Sequence, residues 1–233
     1  MVLKHIPNAI TSLNLASGCI AIVFAFQGAY MTAACFIALA AIFDFFDGFA
    51  ARLLKAYSPM GKELDSLADV VSFGVAPGIM VYSYISDLSV ATNSSAYLAY
   101  IAFLIPVFSA LRLAKFNIDE RQTSSFIGLP TPANAIFWAF SITSSFSYVL
   151  ETTIDPLIIV ALTIFFSWLL VSNFPMFSLK FKHYKWRGNR LRYYLLAGSI
   201  LLIILLGING LAASILWYII LAFLSLISEK RRA

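Results

Sequence analysis

Long apolar runs separated by short polar breaks dominate the chain, and no sustained two-residue alternation competes with them. A helix needs about 20 mostly apolar residues to cross a bilayer. On that length the pattern predicts spans over 7–28, 30–53, 62–86, 96–115, 132–150, 154–175, 193–208 and 210–228. The seventh run is short and reads either as a span with little tilt or as half of a hairpin with the eighth. The expected fold is therefore all-α: a polytopic membrane bundle of about eight transmembrane helices, since only helices and closed barrels satisfy their backbone in lipid. Residues 1–233 read as a single membrane domain, without internal repeats and without room for a second domain.

Composition agrees with this pattern. With 61% hydrophobic residues, 12% charged residues and a mean hydropathy of +0.88, the chain cannot be a soluble globular domain. Cys19 and Cys35 fall inside apolar runs and read as small packing residues, not as a disulfide or metal pair. The N-terminal M-V-L-K-H-I-P-N leads straight into the first run with no small-residue cleavage site, so no removable signal peptide is expected.

Charge adds an orientation. All 16 Lys and Arg fall on one side of the predicted bundle: Lys4, the Arg52–Lys62 connection, the Arg112–Arg121 connection, the stretch from Lys180 to Arg192, and the C-terminal Lys230, Arg231 and Arg232. The opposite loops carry Asp87, Glu151 and Asp155. The positive-inside rule makes the basic side, with both termini, cytoplasmic. The net charge of +5 is then topogenic and directed at lipid, and no nucleic-acid partner is expected. Residues 177–192, mixing aromatic and basic side chains, read as a segment lying on the cytoplasmic membrane surface. His5 and His183 have no partners at ligand spacing and receive no role.

The apolar pattern is violated most sharply between Asp44 and Asp69, where four aspartates interrupt greasy sequence. Intramembrane carboxylates are costly, and function is their default reading. Asp44 and Asp47 are three apart and Asp65 and Asp69 four apart, so each pair shares a helix face. Ser58-Pro59 and Gly61 break the periodicity between the pairs. Folding a hairpin there is expected to bring Asp44 level with Asp69 and Asp47 level with Asp65, so that four carboxylates converge on the basic side. Such a cluster cannot stay ionised without counter-charge, and hard divalent cations with oxygen ligands supply it. A divalent-cation transporter would also need intramembrane acids, but spread across the membrane and not confined to one end.

The string Asp44-x2-Asp47-Gly48-x2-Ala51-Arg52-x8-Gly61-x3-Asp65-x3-Asp69 resembles the signature of the CDP-alcohol phosphatidyltransferases without a departure. P-N-A-I-T-S-L-N-L-A-S-G at 7–18, S-F-G-V-A-P at 72–77, R-L-A-K-F-N at 112–117 and G-L-P-T-P-A-N at 128–134 resemble the phosphatidylserine-forming branch of that family. The likeness covers roughly the first 135 residues. It implies a transferase moving the phosphatidyl group of CDP-diacylglycerol to L-serine, with membrane lipid as surroundings and a homodimer as the assembly. A sister enzyme using glycerol phosphate or an inositol phosphate shares the signature; the loop motifs argue against it.

The resemblance also implies roles. Asp44, Asp47 and Asp65 would ligate metal, Mg2+ or Mn2+ and two ions per site, with Asp69 sharing the second ion and acting as general base. Gly48, Ala51 and Gly61 would leave room for the cytidine diphosphate, which Arg52, Asp44 and Asp65 would also contact; Ser58 is a weaker candidate. For Asn8 and Thr11 helix capping and interhelical bonding stand level with nucleotide binding, and only the resemblance favours the latter. Serine selection needs a partner for a carboxylate outside the shared signature. Arg112 and Lys115, one turn apart, and the polar start of the fifth span with Asn134 are the candidates, although the two cations could equally anchor their helix at the interface.

Overall fold

The computed structural model of the chain describes residues 5–118, 126–143, 155–177, 185, 186 and 188–230. Helix α1 (Ile6–Phe26) opens with Pro7, whose fixed φ suits a first turn. The chain reverses through Gly28 into α2 (Tyr30–Leu53). The two helices pack along their length, and their buried positions are mostly small, among them Ser17, Ala21 and Ala25 of α1 and Ala33, Ala34 and Ala40 of α2. In lipid, side chains gain little by leaving their surroundings, so close backbone approach supplies the contact energy.

Helix α3 (Pro59–Asp69) continues without a break through a π-helical segment, Val70–Val75, into α4 (Ala76–Ala91). The rod is 33 residues long, well beyond what the hydrocarbon needs. Its first turns, with exposed Lys62 and Glu63, therefore stand in the interfacial layer. Helix α4 runs through the bundle, burying Ala76, Met80, Val81, Ile85 and Leu88, and carries its one charged side chain, Asp87, exposed near its end.

A 3-10 stretch, Ala96–Phe103, runs into α5 (Leu104–Ile118). After the break come α6 (Thr131–Ser141), α7 (Pro156–Val171), α8 (Arg190–Leu206) and α9 (Gly210–Lys230). Two short strands, β1 (Phe126–Ile127) and β2 (Pro175–Met176), pair antiparallel and tie the approach to α6 to the end of α7. Gly128 makes this joint possible: its φ is +77°, and a Cβ there would collide with the Leu170 carbonyl at the end of α7. Buried apolar residues of every helix from α1 to α9 except α3 join one cluster, while α3 adds Ala68 and Asp69 beneath the site.

Among the described residues, five stretches are long and apolar enough to cross a bilayer: 6–26, 30–53, 59–91, 96–118 and 190–227. The last reverses at Gly207, where φ is +61°, and returns so that Gly198 abuts Trp217 and the Trp217 indole donates to the Tyr194 carbonyl at 3.0 Å. The expected hairpin of the seventh and eighth runs is present. The expected eight runs do not all appear as uniform spans. Helix α6 is described only to Ser141, the rest of the 132–150 run lies outside the described residues, and α7 has 16 residues and stops at Val171. Cys19 and Cys35 correct their reading too: both are free and exposed on outward faces, not packed inside. Half of the 177–192 surface segment, residues 178–184 with His183 among them and residue 187, also lies outside the described residues.

Candidate active site

Helix α1 packs against α2 on one side and α3 on the other, whereas α2 and α3 touch each other little. The gap they leave is a cavity of about 570 Å3 with α1 as its floor. Pro7, Asn8 and Thr11 line it from α1, Asp47, Gly48 and Ala51 from α2, and Ser58, Pro59, Gly61, Lys62 and Asp65 from α3, with Ala56 and Tyr57 closing the connecting loop. The loop is short because Leu53 ends one helix and Ser58 caps the next, its Oγ accepting from the Gly61 N–H at 2.9 Å.

Three of the four aspartates meet. Carboxylate oxygens of Asp44, Asp47 and Asp65 all lie within 4.8 Å of one another. The expected convergence of all four is corrected in one respect: Asp69 is not part of the group within 4.8 Å, although Asp44 is its foremost acidic neighbour and Asp47 that of Asp65, as the spacing suggests. Asp69 remains an electrostatic neighbour of the other three. Its carboxylate is buried and accepts from Asn14 Nδ2 at 3.2 Å. Asp47 is held in turn by Thr11, whose hydroxyl lies 2.6 Å from Asp47 Oδ2 and 3.0 Å from the Pro7 carbonyl.

The trio fits a hard divalent cation. Its donors are all oxygens, they converge from two helices, and Asp65 Oδ1 is buried without a hydrogen-bond partner among the described residues. Thr11 supplies the outer hydrogen bond that orients Asp47 within this set, and Asn14 orients the neighbouring Asp69.

Other expected residues separate into those at the cavity and those beyond it. Asn8 lies beside Gly61, where a Cβ would come within 3.0 Å of Asn8 Oδ1; at Gly48 a Cβ would meet open space. Arg52 is exposed on the last turn of α2, donates Nε to the Gly48 carbonyl at 2.9 Å, and is not part of the lining. Arg112 and Lys115, though one turn apart, diverge. Lys115 reaches Asn173 Oδ1 at 3.1 Å and the Val171 carbonyl at 3.5 Å, capping the end of α7. Arg112 turns inward, 7% exposed, with Asp69 and Tyr218 as its electrostatic neighbours and no hydrogen-bond partner for Nε among the described residues. Asn134 on α6 is fully buried and neither amide atom has a partner among the described residues.

Lys62 is a lining residue for which the sequence suggested only a topogenic role. It sits three residues before Asp65, the spacing that shares a helix face, and that was the available signal. Its Nζ donates to the Asn117 carbonyl at 3.2 Å, and Asn117 donates to Ser66 Oγ at 2.8 Å, which fixes α3 to α5.

Known proteins resemble this chain in sequence. A CDP-diacylglycerol–serine O-phosphatidyltransferase of Bacillus subtilis is 35% identical over 184 residues, 78% of this chain and 93% of the relative. One of Helicobacter pylori is 34% identical over 185 residues, covering 77% of this chain and 74% of the relative. An archaetidylserine synthase of Methanothermobacter thermautotrophicus is 35% identical over 133 residues, 56% of this chain and 54% of that one. The profile of the CDP-alcohol phosphatidyltransferases matches residues 4–224, and the chain belongs to that family.

Proposed function

We propose that this protein is a membrane transferase that moves the phosphatidyl group of CDP-diacylglycerol to L-serine, giving phosphatidylserine and CMP. The observation that carries the reading is the acid trio at the cavity, with buried Asp69 as electrostatic neighbour both of the trio and of Arg112, whose Nε has no hydrogen-bond partner among the described residues. Relatives named for serine transfer support the choice of acceptor.

Asp44, Asp47 and Asp65 would hold the divalent metal, Mg2+ or Mn2+, with Asp69 near enough to share a second ion. When bound, the metal neutralises the diphosphate and the charge that builds on departing CMP. The chain's own residues do the rest. Asn8, Gly48, Ala51 and Gly61 shape the walls on either side of the nucleotide, and Gly48 leaves its side open. Ser58 serves the α3 cap first, and its nucleotide contact would come from the same loop position. Lys62 would add a cation at the wall, and Arg52 would reach phosphate only by leaving the Gly48 carbonyl.

In the transfer, the serine hydroxyl oxygen bonds to the phosphorus that carries diacylglycerol and the bond from that phosphorus to CMP breaks. Asp69, held by Asn14, receives the hydroxyl proton. Arg112 would pair with the serine carboxylate, and Asn134 would give it amide contacts. Lys115 acts instead as the tie to α7. The cavity and both termini would face the cytoplasm, which the basic loops support. A homodimer would be the assembly, supported by family resemblance alone.

The test is purified protein in detergent with labelled CDP-diacylglycerol and a panel of serine, glycerol phosphate and inositol phosphate, with and without metal. Metal-dependent CMP release with serine and not with the others is expected; release with a phosphate-bearing alcohol instead would replace serine as the substrate.

A further inference from the structure

Asn14 is fully buried on α1, three residues beyond Thr11, and only half of its amide is used. Nδ2 donates to Asp69 Oδ1, and because a carboxylate only accepts, this fixes which amide atom faces Asp69. Oδ1 therefore points elsewhere, buried, and no described group donates to it. The helix cannot shift to relieve it. Ser72 Oγ donates to the Asn14 carbonyl at 3.0 Å, and the π segment presses so closely on Gly18 that a Cβ there would collide with Ser72. A buried amide oxygen without a donor is costly, so a rigidly held one beside the reacting groups points to a donor brought by a ligand.

We propose that Asn14 is a specificity-determining residue whose Nδ2 positions Asp69 while its Oδ1 accepts from the ammonium group of the acceptor alcohol. The inference rests on the serine reading above and goes beyond it by naming what recognises the amine. A neutral carbonyl oxygen takes one ammonium N–H without adding another negative charge beside four carboxylates. Arg112, the other electrostatic neighbour of Asp69, is left for the carboxylate of the same zwitterion. An acceptor bearing phosphate would bring anionic oxygens against the Asn14 oxygen and be repelled. One atom thus favours an amino alcohol and disfavours the phosphate-bearing alcohols of sister enzymes.

The decisive comparison is L-serine against 3-hydroxypropionate, which keeps the hydroxyl and carboxylate and lacks the ammonium group. CMP release is followed at saturating CDP-diacylglycerol and metal for the wild type and for Asn14→Leu, similar in size but without the amide. The wild type should prefer serine in kcat/KM by about 10- to 100-fold, as for a hydrogen bond to a charged group. In Asn14→Leu that preference should collapse toward one, with the KM for CDP-diacylglycerol little changed. Equal losses with both acceptors, leaving the preference intact, would show a merely structural residue and overturn the proposal. Use of 3-hydroxypropionate by the wild type as readily as serine overturns it too; should Asn14→Leu fail to fold, Asn14→Ala takes its place, and a serine preference equal to the wild type's in that variant overturns the proposal. A wild type inactive with serine but active with glycerol phosphate would overturn the serine reading beneath it, a separate result that needs no variant.

Discussion

Thr11 on α1 and Asp47 on α2 are joined by a hydrogen bond of 2.6 Å that crosses the floor of the cavity to one carboxylate of the acid trio. A hydroxyl donating to a carboxylate both fixes its rotamer and leaves its second oxygen free to face inward. Thr11→Val keeps the shape and removes the donor. We expect the metal concentration needed for half-maximal CMP release to rise about 10- to 100-fold, the usual effect of removing an outer hydrogen bond from a metal-ligating group. An unchanged metal titration would return Thr11 to a contact with the nucleotide alone.

The acid cluster was legible in the sequence because a carboxylate in an apolar run is too costly to persist without a use. Asp44, Asp47 and Asp65 meet as their spacing suggests, since spacing along a helix fixes a face. The position of Asp69 was not legible. Spacing within α2 and α3 says nothing of α1, distant in sequence by tens of residues, which packs against both and supplies the Asn14 amide that holds Asp69. The divergence of Arg112 and Lys115 escaped for the same reason: Lys115 is drawn off by Asn173 and the carbonyls that end α7, a tertiary contact that helical spacing does not encode. Ser58 and Pro59, read only as a break before a span starting at 62, in fact cap and open α3, whereas the π segment after Asp69 left no local signal.

Chelation should abolish CMP release, and Asp44→Asn or Asp47→Asn should do so without loss of fold, since each keeps side-chain size while removing a hard oxygen ligand. Activity is read with EDTA and after readdition of Mg2+ or Mn2+; folding is read by thermal unfolding in detergent. Full activity in excess chelator would remove the metal from the mechanism.

Two glycines should respond in opposite ways. A Cβ at Gly48 meets open space in the cavity, so Gly48→Ala should leave the fold intact and stabilise α2 by about 0.5–1 kcal/mol, as for Gly→Ala in a helix. It should still raise the KM for CDP-diacylglycerol, and Gly48→Leu should abolish binding. A Cβ at Gly18 collides with Ser72 of the π segment, so Gly18→Ala should lower the unfolding temperature and loosen Asp69 with it. A Gly48→Leu variant that binds CDP-diacylglycerol normally would move the nucleotide out of this cavity.

Asp69→Asn separates binding from chemistry. The trio is untouched, so affinity for CDP-diacylglycerol should be largely kept, while turnover should fall about 10²–10⁴-fold with the loss of a general base. Equilibrium binding of labelled CDP-diacylglycerol beside single-turnover CMP release gives both numbers. Turnover close to wild type would take the base role from Asp69.

Arg112 is the sharpest test of acceptor recognition, because position alone would also suit it to a different role. A cation near the end of a spanning helix can simply snorkel to the interface, as Lys115 does by reaching the end of α7. Arg112 does the reverse: it is 7% exposed, turned toward Asp69 and Tyr218, and its Nε is buried with no hydrogen-bond partner among the described residues. An interfacial anchor gains nothing from that placement, whereas a guanidinium awaiting a carboxylate does, since it can offer two parallel donors to the planar group. Arg112→Lys retains the charge and loses the paired geometry. It should raise the serine KM about 10-fold or more, with the KM for CDP-diacylglycerol and the unfolding temperature near wild type, because a charge-assisted pair is worth roughly twice a neutral hydrogen bond. Arg112→Ala should raise the serine KM further and also cost stability through lost packing. Serine titrations at saturating CDP-diacylglycerol decide the matter. An unchanged serine KM in Arg112→Lys would leave the guanidinium without a substrate, and a loss confined to CDP-diacylglycerol affinity would place it on the phosphate side of the site.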